Sequence, residues 1–225
     1  PFVDKVIYRI IKDEATYLTA LRTGQLDILE AIRWIAVDHL KETTPELQWN
    51  RWLATSGQFI ALRVDQKPFD DLRVRRALNL AVNQQEIVKH FYGGHAELMA
   101  YPQHPEFGAY FEPLEDMPES VQQLFSYDPE EARRLLKEAG VPEGFAFEMQ
   151  VCSCSPSHMD LVPLLESYFS KVGLKANIRP MEYASFLSAM TTKTHGPAYL
   201  LSSGHVNPMT TIRKSFVTGQ TWNPS

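Results

Sequence analysis

The sequence lacks any apolar run near the about 20 residues that a membrane-spanning helix needs, so no such span is expected in its 225 residues. It also begins at Pro1 without the charged and apolar regions of a signal peptide. Acidic and basic residues are interspersed, and the net charge is −5. No basic block indicates nucleic acid as a partner, and no polybasic segment indicates a membrane surface.

Cysteine is scarce, and the two residues, Cys152 and Cys154, lie two apart. On a strand their side chains would point to one face, and a bridge across so short a loop would be strained. They therefore say little about the redox compartment. Together with His158 they could form a soft metal site, but closed zinc sites show paired ligand motifs that are missing here. We expect no metal and no cofactor.

Motifs of nucleophilic catalysis and phosphate binding are missing too. The sequence has no Gly-x-Ser-x-Gly elbow, no Gly-rich phosphate loop and no His-Glu-x-x-His. The enzymatic alternative is a hydrolase that uses Cys152 or the scattered histidines with an acidic partner. Such an enzyme requires a nucleophile and a base within hydrogen-bond reach.

What the sequence does contain is an alternation of strand and helix patterns. Residues 3–11 and 26–29 are typical of strands, with a short amphipathic helix between them, which predicts two parallel neighbours. Residues 48–53 and 58–64 predict two further strands. The small polar joint at 54–57 is a candidate domain crossing.

The second half repeats this alternation. Strands are predicted at 145–151, 174–178 and 198–201, separated by helices at 161–172 and 183–192. Each strand–helix–strand connection should be right-handed. Pro163 would have to lie in the first turn of its helix, where its missing N–H costs least.

Two helix starts carry clear capping signals. Asp70 or Asp71 should cap a helix whose buried stripe includes Val74 and Ala77. Asp128 should cap a second helix with Pro129 in its first position. The proline- and aromatic-rich residues between these helices predict a long ordered loop.

Four motifs, in this order, resemble the extracytoplasmic solute-binding proteins of ABC importers, family 5, the dipeptide, oligopeptide and nickel class. The resemblance covers nearly the whole chain. The motifs are Ala20-Leu21-Arg22-Thr23-Gly24-Gln25-Leu26-Asp27, the Pro68–Val88 segment, Tyr127-Asp128-Pro129-Glu130-Glu131-Ala132 with Leu135-Leu136 and Glu138-Ala139-Gly140, and Gly173-Leu174.

The resemblance implies an α/β fold like that of periplasmic binding proteins, type II and cluster C, with a mixed sheet and flanking helices. One lobe would be nearly complete and the other partial, so the chain would be a fragment. Residues 1–55 would be a returning segment of the first lobe, and residues 56–225 the second lobe without its C-terminal end. The first piece should expose apolar side chains. The residues that test this are Val6, Ile10, Leu21 and Ile28.

For function, the resemblance implies a binding protein and not an enzyme. The full-length protein would be monomeric, and either periplasmic or extracytoplasmic and associated with the membrane. It would capture a small polar solute or peptide between two lobes and deliver it to the membrane permease subunits of an ABC importer. Neither nucleic acid nor a membrane span of its own is implied.

Family members meet their ligand near the lobe crossing and in the loop after a late strand. In peptide binders that loop carries a tryptophan and an aspartate, and the loop from Leu201 to Pro208 has neither. Its hydroxyl, amide and imidazole groups suit a polar ligand, although the same residue types are common in plain turns. The candidate ligand contacts are Ser202, Ser203, His205, Asn207, Thr55, Ser56, Gln58 and Tyr183.

Overall fold

The computed structural model describes residues 2–54, 56–98, 102, 104–205 and 207–223. The chain divides into two compact units, residues 1–51 (unit 1) and residues 52–225 (unit 2). The predicted lobe boundary after residue 55 is close to this division. The assignment of the two pieces to two lobes stays a prediction.

Unit 1 contains two helices, α1 (Glu14–Arg22) and α2 (Trp34–Thr43). Asp13 begins α1, because its carboxylate accepts the backbone N–H of Thr16 at 2.8 Å. Glu14 also pairs with Arg33, which precedes α2, at 2.7 Å. This ion pair ties the starts of the two helices together.

The strands predicted in the first 53 residues are wrong. Residues 3–11, 26–29 and 48–53 are not assigned to any strand, because a strand is held by a ladder of hydrogen bonds to a neighbour. The described part of unit 1 offers these segments no such neighbour.

The predicted apolar exposure of unit 1 is confirmed at three of its four test positions. Val6 is 61% exposed, Ile10 91% and Ile28 79%, whereas Leu21 is 8% exposed on the inner side of α1. Large apolar side chains rarely stay exposed in a contiguous group unless another surface covers them. Unit 1 therefore carries an apolar surface that its own described residues do not bury.

Ile10→Cys reports on that surface. In the isolated chain this cysteine should react with a maleimide at the rate of an exposed thiol. In the full-length protein it should react at least about tenfold more slowly, because covered residues react only after local opening. Ser167→Cys, at an exposed position of unit 2, is the control and should react quickly in both. Equal rates for Ile10→Cys in the two proteins would contradict the prediction.

Unit 2 is built on a sheet whose four strands, within the described residues, are β1 (Gly57–Leu62), β2 (Phe145–Cys152), β3 (Leu174–Met181) and β4 (Ala198–Ser203). Their spatial order is β1-β4-β2-β3. β1 runs antiparallel to β4, while β4, β2 and β3 are parallel. This is the mixed sheet that the sequence predicts.

Helices cover both faces of this sheet. Before β2, the chain of unit 2 forms α3 (Leu72–Leu80), α4 (Gln84–Glu86) with a π-helical turn (Ile87–Phe91), α5 (Glu119–Gln122) and α6 (Pro129–Glu138). After β2, it forms α7 (Pro156–Lys171), α8 (Tyr183–Thr191) and α9 (Pro208–Phe216). Short 3-10 turns at Pro105–Tyr110, Leu114–Asp116 and Gln123–Phe125 order much of the predicted loop. Within the described residues, none of the helices combines the length and apolar character needed to cross a bilayer.

The alternation of the strands divides the buried side chains between the two faces. Face 1 carries Phe147, Met149 and Leu200, which belong to the larger core with α3, α6 and α7. Face 2 carries Ala61, Cys152 and Tyr199, which pack with two residues of α8, Phe186 and Met190. Side chains two apart on a strand share a face. The face on which each polar side chain near the strand ends lies can therefore be read from the buried residues of the same strand.

Helix α7 begins earlier than the sequence predicts. Ser155 caps it and Pro156 is its first residue, so Pro163 lies in the helix interior and the prediction of a first-turn proline is wrong. The earlier start brings Ser157 and His158 into the first turn, next to the ends of the strands. Sequence periodicity missed this turn because it is polar and carries no apolar stripe.

The two predicted caps on α3 and α6 are confirmed. Asp71 accepts the N–H of Arg73 at 2.8 Å, and Asp128 accepts the N–H of Glu131 at 2.9 Å. The carboxylate of Glu131 pairs with Arg134, and the N–H of Asp128 donates to the Leu80 carbonyl at 3.0 Å.

Asp128→Ala should lower the free energy of unfolding by about 1 kcal/mol, the usual cost of losing an N-cap carboxylate. Urea denaturation of the full-length protein, followed by circular dichroism, measures this loss. Asp116→Ala, at an exposed position, should change the free energy by less than about 0.5 kcal/mol. An equal loss of unfolding free energy in the two variants would contradict a specific contribution of the Asp128 cap.

Candidate functional site

The candidate site lies at one edge of the sheet in unit 2. The carboxyl ends of β2, β4 and β3 meet there, together with the start of antiparallel β1. In open α/β sheets, ligands bind outside the carboxyl ends of the parallel strands. The turns that leave this edge begin α7, α8 and α9, so side chains from several parts of the sequence converge on it.

The pairing of β1 with β4 brings two of the predicted segments together. Gln58 lies directly opposite Ser202, and Gly57 lies opposite Ser203. Both Gln58 and Ser202 are exposed to solvent. The crossing segment and the late strand, which the sequence separates widely, thus present an amide and a hydroxyl side by side.

His158 supports Ser202 from the first turn of α7. Its ring Nε2 lies 2.8 Å from the Ser202 hydroxyl oxygen, and the residue is only 7% exposed. Burial lowers the pKa of His158, so the ring is neutral at physiological pH. A buried, neutral imidazole therefore fixes the position of an exposed hydroxyl.

Tyr92 supports Gln58 in the same way. Its phenol donates to the Gln58 Oε1 at 2.6 Å. Burial raises the pKa of Tyr92, which outweighs the lowering effect of its polar neighbours Gln58 and Ser157, the latter in the first turn of α7, so the phenol stays protonated. The five residues form what we call the polar cluster: Gln58, Tyr92, Ser157, His158 and Ser202.

Sequence reasoning missed Tyr92 and Ser157 as site residues and considered His158 only as a metal ligand. One signal could have found His158. Gln58 and Ser202 continue the alternation of Ile60 and Leu200, and these belong with the larger core on face 1. Any polar residue at the start of a helix covering that face is then a candidate partner.

The other predicted residues lie around the polar cluster without joining it. Ser203 follows the opposite alternation and shares its face with Cys152, while Ser56 is exposed and His205 is half-buried. Asn207 uses its side-chain oxygen to cap α9, accepting the N–H of Met209 at 2.9 Å. Its predicted role in ligand contact therefore competes with a structural one.

Tyr183 and Thr55 complete the predicted set. Tyr183 is the first residue of α8 and is 55% exposed, at the end of β3. Since β2 lies between β3 and β4, it stands about 10 Å or more from Ser202 at ordinary strand spacing. Thr55 lies outside the described residues. None of these geometries tests ligand contact, and the predicted contacts stay predictions.

The predicted alternatives based on cysteine are wrong. Cys152 and Cys154 form a disulfide with a Cα–Cα distance of 5.1 Å, so neither thiol is free to bind a metal or to act as a nucleophile. Among the described residues, no group of three or more His, Cys, Asp or Glu side chains is arranged to hold a metal ion.

Comparison with known proteins decides the family. The profile of the bacterial extracellular solute-binding proteins, family 5 Middle, matches residues 1–223. The chain belongs to this family. Family 5 proteins are binding proteins and not enzymes, which confirms the predicted class and removes the hydrolase alternative, although His158 and Ser202 are within hydrogen-bond reach.

Relatives in family 5 are substantially longer than this chain. Di/tripeptide-binding protein 1 of Pseudomonas aeruginosa is 31% identical over 206 residues, covering 90% of this chain and 37% of the relative. Heme-binding protein A of Haemophilus influenzae is 28% identical over 188 residues, covering 82% of this chain and 33% of the relative. The chain thus corresponds to part of a family 5 protein, as predicted.

Solved family 5 structures confirm the predicted fold. NikA of Staphylococcus aureus in complex with Ni(L-His)2 has a TM-score of 0.78 at 16% identity, covering 95% of this chain and 44% of that one. DppA of Helicobacter pylori in complex with the peptide STSA has a TM-score of 0.72 at 23% identity, covering 91% and 38%. At these identities the likeness establishes the fold and not the ligand.

The burial of His158 predicts a pH dependence of stability. Because the pKa of His158 in the folded protein is below its ordinary value of 6.5, the unfolded chain binds more protons there as the pH falls. Its contribution to stability is complete above about pH 6.5 and is lost below it. His158→Gln should therefore lose less stability than the wild type between about pH 7.5 and pH 5.

Urea denaturation of the full-length protein across this pH range measures the effect. His90→Gln, which changes an exposed histidine, is the control and should follow the wild-type profile. The prediction fails if His158→Gln loses as much stability at low pH as the wild type does.

Proposed function

We propose that the full-length protein is the extracytoplasmic substrate-binding component of an ABC importer. It captures a small polar solute or peptide between two lobes and delivers it unchanged to the permease subunits in the membrane. Membership in family 5 supports this assignment. So does the apolar surface of unit 1, which is the surface expected of a piece of a larger two-lobed protein.

The polar cluster is the observation that carries the proposal. A receptor site needs a few convergent polar groups. Gln58 and Ser202 offer such groups side by side at the edge of the sheet where the fold class binds ligands. Tyr92 and His158 form hydrogen bonds with Gln58 and Ser202, respectively, so the positions of these two side chains are fixed before a ligand arrives.

The chemistry of the cluster suggests which part of a solute it receives. With His158 and Tyr92 neutral, the cluster presents uncharged donors and acceptors, which match amide, hydroxyl or carbonyl groups. A peptide backbone and a polar metabolite both supply them. The named relatives bind di- and tripeptides, heme or nickel–histidine. Because the loop from Leu201 to Pro208 lacks the tryptophan and aspartate of peptide binders, the cluster matches small polar solutes as a class, with peptides among them.

Transport would follow from differential affinity. A solute that touches both lobes stabilises the closed form over the open one. The permease subunits would recognise that closed form, and the solute would leave without chemical change. No step in this cycle requires a catalytic residue.

A thermal-shift screen tests the proposal with the full-length protein. Dipeptides, tripeptides, glutathione, nickel–histidine, heme, sugars and amines would be added separately. A true ligand at a hundred times its Kd should stabilise the protein by about 2.7 kcal/mol, in a saturable manner and without product formation. Time-dependent turnover of any of them, or no saturable stabilisation by the panel, would contradict the proposal.

Ser202→Ala tests the site itself. Removing one ligand hydrogen bond should cost about 0.5–1.5 kcal/mol, which raises the Kd of the best solute by about 2- to 13-fold. Isothermal titration calorimetry measures this change. Ser167→Ala, on an exposed part of α7, is the matched control and should leave the Kd unchanged. An unchanged Kd in Ser202→Ala would remove Ser202 from the site.

A further inference from the structure

The Cys152–Cys154 disulfide has no role in the proposed binding function, yet it lies at the same edge of the sheet. Cys152 is the last residue of β2 and is 4% exposed, packed with Tyr199 and Phe186 on face 2. Cys154 lies in the following turn and is exposed. One sulfur-bearing residue is therefore anchored in a core, and the other is accessible to solvent.

The disulfide closes the turn that connects β2 to α7. Ser153 donates its backbone N–H and its hydroxyl to the Met181 carbonyl, at 2.9 and 3.0 Å. Ser155 donates its N–H to the Cys152 carbonyl at 3.2 Å and accepts the N–H of His158 at 3.4 Å. The order of this turn therefore sets where the first turn of α7 begins.

The size of the bridged loop argues against a role in global stability. Chain-entropy stabilisation by a disulfide grows with the number of residues in the closed loop, and only Ser153 lies between the two cysteines. The bridge can constrain little of the unfolded chain. Its main physical effect is local, on the turn at 153–155.

Exposure and hydrogen bonding favour exchange at this bridge. An incoming thiolate can approach the accessible Cys154, and the Cys152 sulfur already lies 3.3 Å from the backbone N–H of Cys154. An N–H at that position stabilises a departing thiolate and offsets the apolar surroundings of Cys152, which by themselves would raise the pKa of its thiol. A stabilised leaving group speeds thiol–disulfide exchange.

We propose that Cys152–Cys154 is a site of reversible exchange with small thiols, and that its state controls the order of residues 153–158. A thiolate attacks the Cys154 sulfur, the disulfide breaks, and the electron pair leaves on Cys152 as a thiolate. A second thiol then attacks the mixed disulfide on Cys154. Two thiols are oxidised to one small disulfide, and the protein disulfide is reduced to two cysteine thiols.

Hydrogen exchange read by mass spectrometry tests this with the native full-length protein and reduced glutathione. Glutathione should form a mixed disulfide at Cys154 and then two free thiols, while circular dichroism stays native. The backbone amides of residues 153–155, 157 and 158 should exchange at least about tenfold faster after reduction, and those of 145–149 should not change. Oxidised glutathione should restore the original rates.

Cys154→Ser is the matched variant, because it removes the bridge and leaves Cys152 in its core. It should show the fast exchange of residues 153–158 without any thiol and should not respond to glutathione. The proposal is overturned if glutathione reduces the bridge only after unfolding, or if reduction leaves the exchange of 153–158 unchanged. No readout involves a transported solute, so a failure of the proposed function would leave this result untouched.

Discussion

The pairing of β1 with β4 is the interaction on which the rest of unit 2 depends. β4 is an inner strand, bonded to antiparallel β1 on one side and to parallel β2 on the other. Its register sets Ser202 against Gln58. A shift of one residue would move Ser202 to the opposite face, away from His158. The site is thus a consequence of the same ladder that forms the sheet.

Burial then determines how the site residues behave. His158 and Tyr92 lie beneath the exposed Ser202 and Gln58 and are kept neutral by the loss of solvent. Polar groups away from solvent need hydrogen-bond partners. His158 is paired with Ser202, and Tyr92 with Gln58. The exposed members are therefore held in place by a buried histidine and a half-buried tyrosine, which limits the entropy that a ligand would lose on binding.

Unit 1 behaves in the opposite way, because its own described residues do not provide the surfaces on which its predicted strands depend. Its two helices form, since their hydrogen bonds are internal and Asp13 caps the first. Its predicted strands do not form, since a strand requires a neighbour. The side chains of Val6, Ile10 and Ile28 are exposed for the same reason, since unit 1 has no described surface that covers them.

The sequence by itself determined what depends on neighbours within a few residues. The caps at Asp71 and Asp128, the buried stripe of α3 and the alternation of β2 were all predictable, as was the family from its ordered motifs. Only the tertiary structure decided the strand order, the start of α7 before Pro163, the disulfide and the meeting of His158 with Ser202. These features join residues from separate segments or depend on packing. A periodic pattern indicates which face of a helix or strand a residue occupies, but it does not indicate which residue of another segment packs against it.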